Sequence, residues 1–222
     1  MGTLYLVRHG QASLGAADYD QLSELGQRQA VRLGEYLRGK GLGFEAVLTG
    51  TLRRHLQTLA GIAQGYGALP EALRWPGLNE YDSAAVVRAI HEGEPPATNT
   101  PEAVRQHFRL LRQGLLRWMD GSASPAGMPT HAEFLAGITA ALDHVRAHHS
   151  GNVLLVSSGG PISTAVGHLL GATPQAVVEL NLRIRNSALT EFHFNPKRHV
   201  LVSFNTLPHL DHHDHAGWIT HA

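Results

Sequence analysis

The 222 residues balance 18 Lys+Arg against 18 Asp+Glu, so no overall charge marks the chain for nucleic acid or an anionic membrane, and any basic site must be local. Hydrophobic residues at 43% and charged residues at 16% exclude a disordered chain, and the absence of cysteine excludes disulfides, thiolate metal sites and thiol catalysis. The length suits one domain with a sizeable core, and the apolar runs are too short to span a membrane.

In chain order, Thr3-Leu4-Tyr5-Leu6-Val7 predicts a buried strand that ends in Arg8-His9-Gly10-Gln11. A strand pattern from Met1 to Arg8 leaves no room for a signal segment, which predicts a soluble, cytoplasmic protein. Ser23 is an N-cap candidate for a helix with Leu25, Leu33 and Leu37 on one face, stopped by Gly39, Gly41 and Gly43. Ala46 to Thr49 predicts a second strand, and Leu52, Leu56, Leu59, Ala60 and Ala63 a second helix before Gly65 and Gly67.

Residues 82–150 read differently. Phe108, Leu111, Leu115 and Trp118, then Leu135, Ile138, Leu142 and Val145, step by three and four around a Pro/Gly/Ser-rich link at Gly121 to Pro129. This predicts a helical insertion over one end of the sheet. Val153 to Val156 is a further strand, Gly159-Gly160-Pro161 a turn, and Ile162 to Leu170 a helix. Ala188 to Phe194 and Val200 to Phe204 read as two more strands joined by a turn at Asn195-Pro196-Lys197.

Alternating strands and helices predict an α/β fold, a three-layer α/β/α sandwich on a mostly parallel sheet, in a single domain over 1–222. Of 16 histidines, five fall in the last 14 residues (His209, His212, His213, His215 and His221). Imidazole is a common metal ligand, but a terminal segment seldom supplies fixed geometry, so residues 209–222 read as a solvated His-rich tail, with no metal site or cofactor expected.

Open parallel sheets bind ligands at the carboxyl ends of their strands. Arg8, His9 and Gly10 follow the first strand, Arg53 and Arg54 the second, and Ser157, Ser158, Gly159 and Gly160 the Val153 strand. Arginine forks and helix N-termini bind phosphate oxygens, Gly10 would let backbone approach closely, and a histidine neutral near pH 7 can carry a phosphoryl group.

These residues resemble a known family. Leu6-Val7-Arg8-His9-Gly10-Gln11 is similar to the signature of the histidine phosphatase superfamily, the phosphoglycerate mutase-like proteins. Leu22-Ser23 with Gly26 and Gln29-Ala30 resembles the opening of the family's first helix. Leu52-Arg53-Arg54-His55-Leu56-Gln57-Thr58 resembles L-x-R-A-x-Q-T, and anchoring on Gln57-Thr58 assigns the phosphate arginine to Arg54. Leu78-Asn79-Glu80 resembles L-x-E, and Val156-Ser157-Ser158-Gly159-Gly160 resembles V-S-H-G-G. Asn186-Ser187 and Phe204-Asn205 with His209-Leu210 match the final strands.

The resemblance implies a phosphomonoester phosphatase acting on a small phosphorylated substrate, with His9 as nucleophile and Glu80 as proton donor. Arg8, Arg54, Gln11, Ser13, Ser158 and Gly159 would contact the phosphate. Two departures stand out. Ser158 replaces the family's second histidine, and Gly15 replaces an asparagine that contacts phosphate, for which Gln11 or Ser13 would have to stand in. His55, His91 and His131 are candidates to restore the missing imidazole. A phosphate-binding or regulatory protein with weak turnover, a mutase and a His-rich metal binder are the alternative readings, and the short Tyr81-Asp82 continuation speaks against the mutase.

Overall fold

Strand alternation divides the core between two faces of one sheet. The computed structural model describes residues 1–13, 20–91 and 100–221. The elements are β1 (Gly2–Arg8), α1 (Glu24–Gly39), β2 (Ala46–Thr49), α2 (Arg53–Tyr66), β3 (Ala72–Arg74), a 3-10 turn (Pro76–Leu78) and α3 (Ser83–Arg88). There follow α4 (Pro101–Met119), α5 (His131–His148), β4 (Asn152–Ser157), α6 (Gly159–Leu170), α7 (Pro174–Arg183), β5 (Leu189–Asn195), β6 (Arg198–Thr206) and two more 3-10 turns (Pro208–Leu210 and His213–Trp218). None of the described helices is long and apolar enough to cross a membrane.

The sheet runs β3-β2-β4-β1-β5-β6. The first four strands are parallel, and β5 is antiparallel to both its neighbours, which makes the sheet mixed. Successive side chains of a strand point to opposite faces. On one face Leu4 and Leu6 of β1 and Val153 and Leu155 of β4 pack with α5 and α6. On the other, Val7, Leu154 and Val156 meet Ala30, Leu33 and Leu37 of α1 and Ile62 of α2. This is the three-layer α/β/α arrangement expected from the sequence. Each buried side chain of this size contributes roughly 1.5–3 kcal/mol.

Local signals explain most boundaries. The Ser23 side chain accepts the Gly26 N–H and caps α1, and Thr130 and Glu133 form a reciprocal capping box at the start of α5. Three elements differ from the sequence reading. Gly159-Gly160-Pro161 is the first turn of α6, because Pro161 near a helix start loses no intrahelical hydrogen bond. β3 and α7 carry no clear sequence pattern, the former only three residues long and largely exposed, the latter with only Val177 and Val178 buried. In the predicted insertion, Ile138 and Leu142 of α5 enter the same core as Leu6, Leu155 and Ile162, so α5 covers a face of the sheet and not merely its end.

Close backbone approach fixes α1 against the end of β1. A Cβ on Gly10 would lie 2.3 Å from the Gly26 carbonyl oxygen, and one on Gly26 would lie 2.1 Å from that of Gln11. The close approach that Gly10 permits is therefore to α1, where the sequence suggested a ligand.

Candidate active site

The register of the parallel strands gathers the predicted residues. Arg8 of β1 pairs with Ser157 of β4, and Thr49 of β2 with Val156. The His9 N–H donates to the Ser157 carbonyl at 2.9 Å and the Gly50 N–H to the Val156 carbonyl at 3.0 Å, extending both ladders past the strands. His9, Ser158 and the first turn of α2 thus share one sheet edge. Arg8, His9, Arg54, His55 and Ser158 are all buried there.

His9 is held as a neutral imidazole with a defined tautomer. Its Nδ1 lies 2.7 Å from the Gly10 carbonyl oxygen, which can only accept, so Nδ1 carries the proton and Nε2 keeps its lone pair. Burial pushes the His9 pKa well below the usual imidazole value, and Arg8, Arg54 and His55 lower it further. The His9 carbonyl is tied to the far end of the chain, accepting from the Ser187 N–H at 3.1 Å and from Asn186 Nδ2 at 3.5 Å.

Arg8 donates through Nη1 to the Ile184 carbonyl, which anchors one edge of its guanidinium. Arg54 is oriented by Asp20, a residue the sequence reading did not single out. Asp20 pairs with Arg54 Nη1 at 2.7 Å and accepts the Arg53 N–H at 2.8 Å. Leu52 occupies the N-cap of α2 and has no capping side chain, so Asp20 supplies that carboxylate from another segment. An N-cap position filled by leucine was the signal that an acceptor had to come from elsewhere.

The Gln57-Thr58 pair is structural. Thr58 Oγ1 accepts the Gly10 N–H at 3.0 Å and donates to the Arg54 carbonyl at 2.7 Å, while Gln57 accepts the Leu22 N–H at 2.7 Å. One helix turn thereby fixes both the His9 loop and the entry to α1.

Glu80 meets the start of α6. The Gly160 N–H reaches both of its carboxyl oxygens, at 3.1 and 3.2 Å. A Cβ on Gly160 would come within 2.1 Å of Glu80 Oε1, so glycine is required for this contact. Burial raises the Glu80 pKa, against the lowering effects of the Gly160 N–H, Arg54, Arg8 and the Tyr81 N–H. Neighbouring contacts hold the segment in place. Ser157 Oγ donates to the Leu78 carbonyl at 2.6 Å, and Asn79 exchanges two 2.7 Å hydrogen bonds with Thr51.

The remaining predicted residues divide. Ser158 is buried beside the cluster at the N-cap position of α6, and Gly159 follows it. Gln11 is half-buried, and its side-chain oxygen accepts the Ser23 hydroxyl at 2.8 Å at the α1 cap. Ser13 is half-buried, with its backbone N–H on the Gln21 carbonyl. Gly15 lies outside the described residues. Of the three candidate histidines, His55 reaches the cluster, with its ring centroid 5.8 Å from that of His9. His91 follows α3, and His131 packs against Trp118.

The C-terminal histidines are not uniformly solvated. His209 is buried, with Nε2 2.9 Å from Ser187 Oγ, and burial lowers its pKa to about 3. Gln29, fully buried in α1, accepts the Gln11 N–H and donates to the Trp218 carbonyl and to Thr220 Oγ1, which in turn donates to Asn186. The segment braces the loop that carries His9. Among the described residues His212, His213 and Asp214 place ligand atoms within 4.8 Å of one another, all on exposed side chains.

Two guanidinium groups, a neutral histidine and a protonatable carboxyl at the carboxyl edge of a sheet have the chemistry that anion binding and acid–base work require. The sequence model of the histidine phosphatase superfamily (branch 1) matches residues 4–207, and the chain belongs to that superfamily. It is 27% identical over 227 aligned positions to a Hydrogenobacter thermophilus protein provisionally named phosphoserine phosphatase 2, covering 94% of this chain and 98% of that one. Among solved structures it is similar to phosphoserine phosphatase from Entamoeba histolytica in complex with 3-phosphoglyceric acid, with a TM-score of 0.66, 23% identity and coverage of 95% and 100%. It is likewise similar to phosphoglycerate mutase from Bacillus anthracis, with a TM-score of 0.64, 20% identity and 94% of each chain covered. The superfamily and the phosphatase names among these relatives support a phosphoric monoester hydrolase.

Proposed function

We propose that the chain hydrolyses small phosphomonoesters through a phosphohistidine intermediate on His9. The observation that carries this reading is the His9 tautomer: with Nδ1–H committed to the Gly10 carbonyl, Nε2 presents a lone pair within the field of two arginines. Arg8 and Arg54 neutralise the phosphoryl oxygens. Nε2 attacks phosphorus, the bond to the leaving oxygen breaks, and Glu80 gives that oxygen its proton. Water then attacks the phosphohistidine and loses a proton to Glu80, the N–P bond breaks, and inorganic phosphate departs.

The relatives that carry phosphoserine phosphatase names, and the neighbour that binds 3-phosphoglyceric acid, support a small anionic phosphomonoester as substrate. Purified protein is to be assayed with p-nitrophenyl phosphate, phosphoserine and 3-phosphoglycerate beside His9→Ala. The expected result is turnover that falls to background in the variant. Turnover indifferent to His9 overturns the reading. A second reading, phosphate binding with little turnover, draws on Ser158 in place of a second histidine. It predicts that phosphate raises the melting temperature while none of the esters is hydrolysed.

A further inference from the structure

Ser158 occupies the N-cap of α6, with φ −118° and ψ 173°, where a serine hydroxyl ordinarily turns onto the backbone N–H groups of the first turn. Here it makes no such cap. Its Oγ lies 2.6 Å from Nε2 of His55, across from the first turn of α2. His55 is fully buried and its ring lies beside that of His9. Its Nδ1 rests over Gly50, where an added Cβ would come within 2.2 Å, so glycine makes room for the ring.

The tautomer of His55 follows from its surroundings. The imidazole is neutral, because burial and then Arg54 lower its pKa to about 3, so it carries one N–H. Among the described residues Nδ1 has no hydrogen-bond partner. A proton there would be an orphaned buried donor, whereas a proton on Nε2 is bonded to Ser158 Oγ and leaves only an unused lone pair on Nδ1. With Nε2–H donating to Oγ, the serine's own hydrogen is left to donate elsewhere. Ser158 and His9 immediately follow residues paired in register, so that hydroxyl belongs to the His9 cluster.

Compared with L-x-R-A-x-Q-T and V-S-H-G-G, this chain has histidine at the small position, His55, and a small residue at the histidine position, Ser158. The imidazole here stands on the facing helix and not at the end of β4. We propose that His55 and Ser158 act as a pair on the transferring phosphoryl group, Ser158 as the donor that touches one of its oxygens and His55 as the positioning residue that orients that hydroxyl. The inference rests on the phosphatase reading above. It assigns to two side chains the oxyanion contact that one histidine would otherwise make, and it requires no change in the protonation of either during turnover.

The test is a set of variants assayed with phosphomonoesters over pH 5 to 8, beside His9→Ala and with melting temperatures recorded. Ser158→Ala, which removes one oxygen and leaves the backbone unchanged, is expected to lower kcat about 10²-fold to 10³-fold with a smaller effect on KM. His55→Leu should show a large part of that loss, His55→Gln, which keeps an N–H donor, should recover part of it, and His55→Leu/Ser158→Ala should be no worse than Ser158→Ala alone. Ser158→His alone should be poorly active, since the His55 ring fills the space. His55→Ala/Ser158→His, which returns an imidazole to the end of β4, should regain activity. Losses at the two positions that simply multiply, or Ser158→Ala within about twofold of the parent, overturn the pair. Activity undiminished in His9→Ala would instead overturn the phosphohistidine reading on which the pair rests, so the two failures are told apart.

Discussion

At Glu80 two opposing influences meet on one carboxyl group. The Gly160 N–H and the two arginines favour its ionised form, yet burial raises its pKa overall, the direction that the proposed proton donor needs. His9 is shifted the other way and stays neutral well below the usual imidazole range. The productive state therefore lies between a depressed histidine pKa and a raised carboxyl pKa. On this account kcat/KM falls as pH rises through the Glu80 ionisation, and Glu80→Gln removes that limb. With an alkyl ester such as phosphoserine, the substitution should cost about 10²-fold to 10⁴-fold in kcat. The loss should be much smaller with p-nitrophenyl phosphate, whose leaving group departs without a proton. Equal losses for both esters would remove Glu80 from the role of acid.

Among the elements, the C-terminal segment shows how packing overrides composition. His209 sits against Ser187, next to the backbone that holds the His9 carbonyl, and is neutral because it is buried. Its folded pKa of about 3 lies below the unfolded value near 6.5, so the unfolded chain binds the extra proton between these limits. Stability is complete above the unfolded pKa and is lost as pH falls toward the folded one, at up to about 1.4 kcal/mol per pH unit for each such histidine. His209→Gln keeps a hydrogen-bonding partner for Ser187 and binds no proton. Denaturant titrations at about pH 6 and pH 4 should show the variant losing less stability than the parent across that interval. Parallel losses would mean that His209 is protonated in the folded state.

Across the whole molecule, what the sequence made legible was local. The apolar run before Arg8-His9, the apolar run Val153 to Val156 and the Ser23 cap each depend on neighbouring residues, and the structure reproduces them. What it hid was long-range. Asp20 caps a helix that begins 33 positions later, and His55 meets Ser158 across 103 residues, neither of which leaves a periodic trace. His209 reads as polar tail in composition, and only the pocket formed by Ser187 and α1 makes it part of the core. The short edge strand Ala72–Arg74 and the weakly buried Pro174–Arg183 helix escape for the same reason, since their stability comes from neighbours.

The proposed chemistry rests on the geometry of a single imidazole, that of His9. Rapid quenching of the enzyme during turnover of a phosphomonoester, followed by mass analysis of the peptide containing His9, tests its role directly. The account predicts one acid-labile phosphoryl group on His9, absent from His9→Ala. A protein that turns over rapidly while His9 stays unmodified, or that carries the phosphoryl group on another residue, would contradict it.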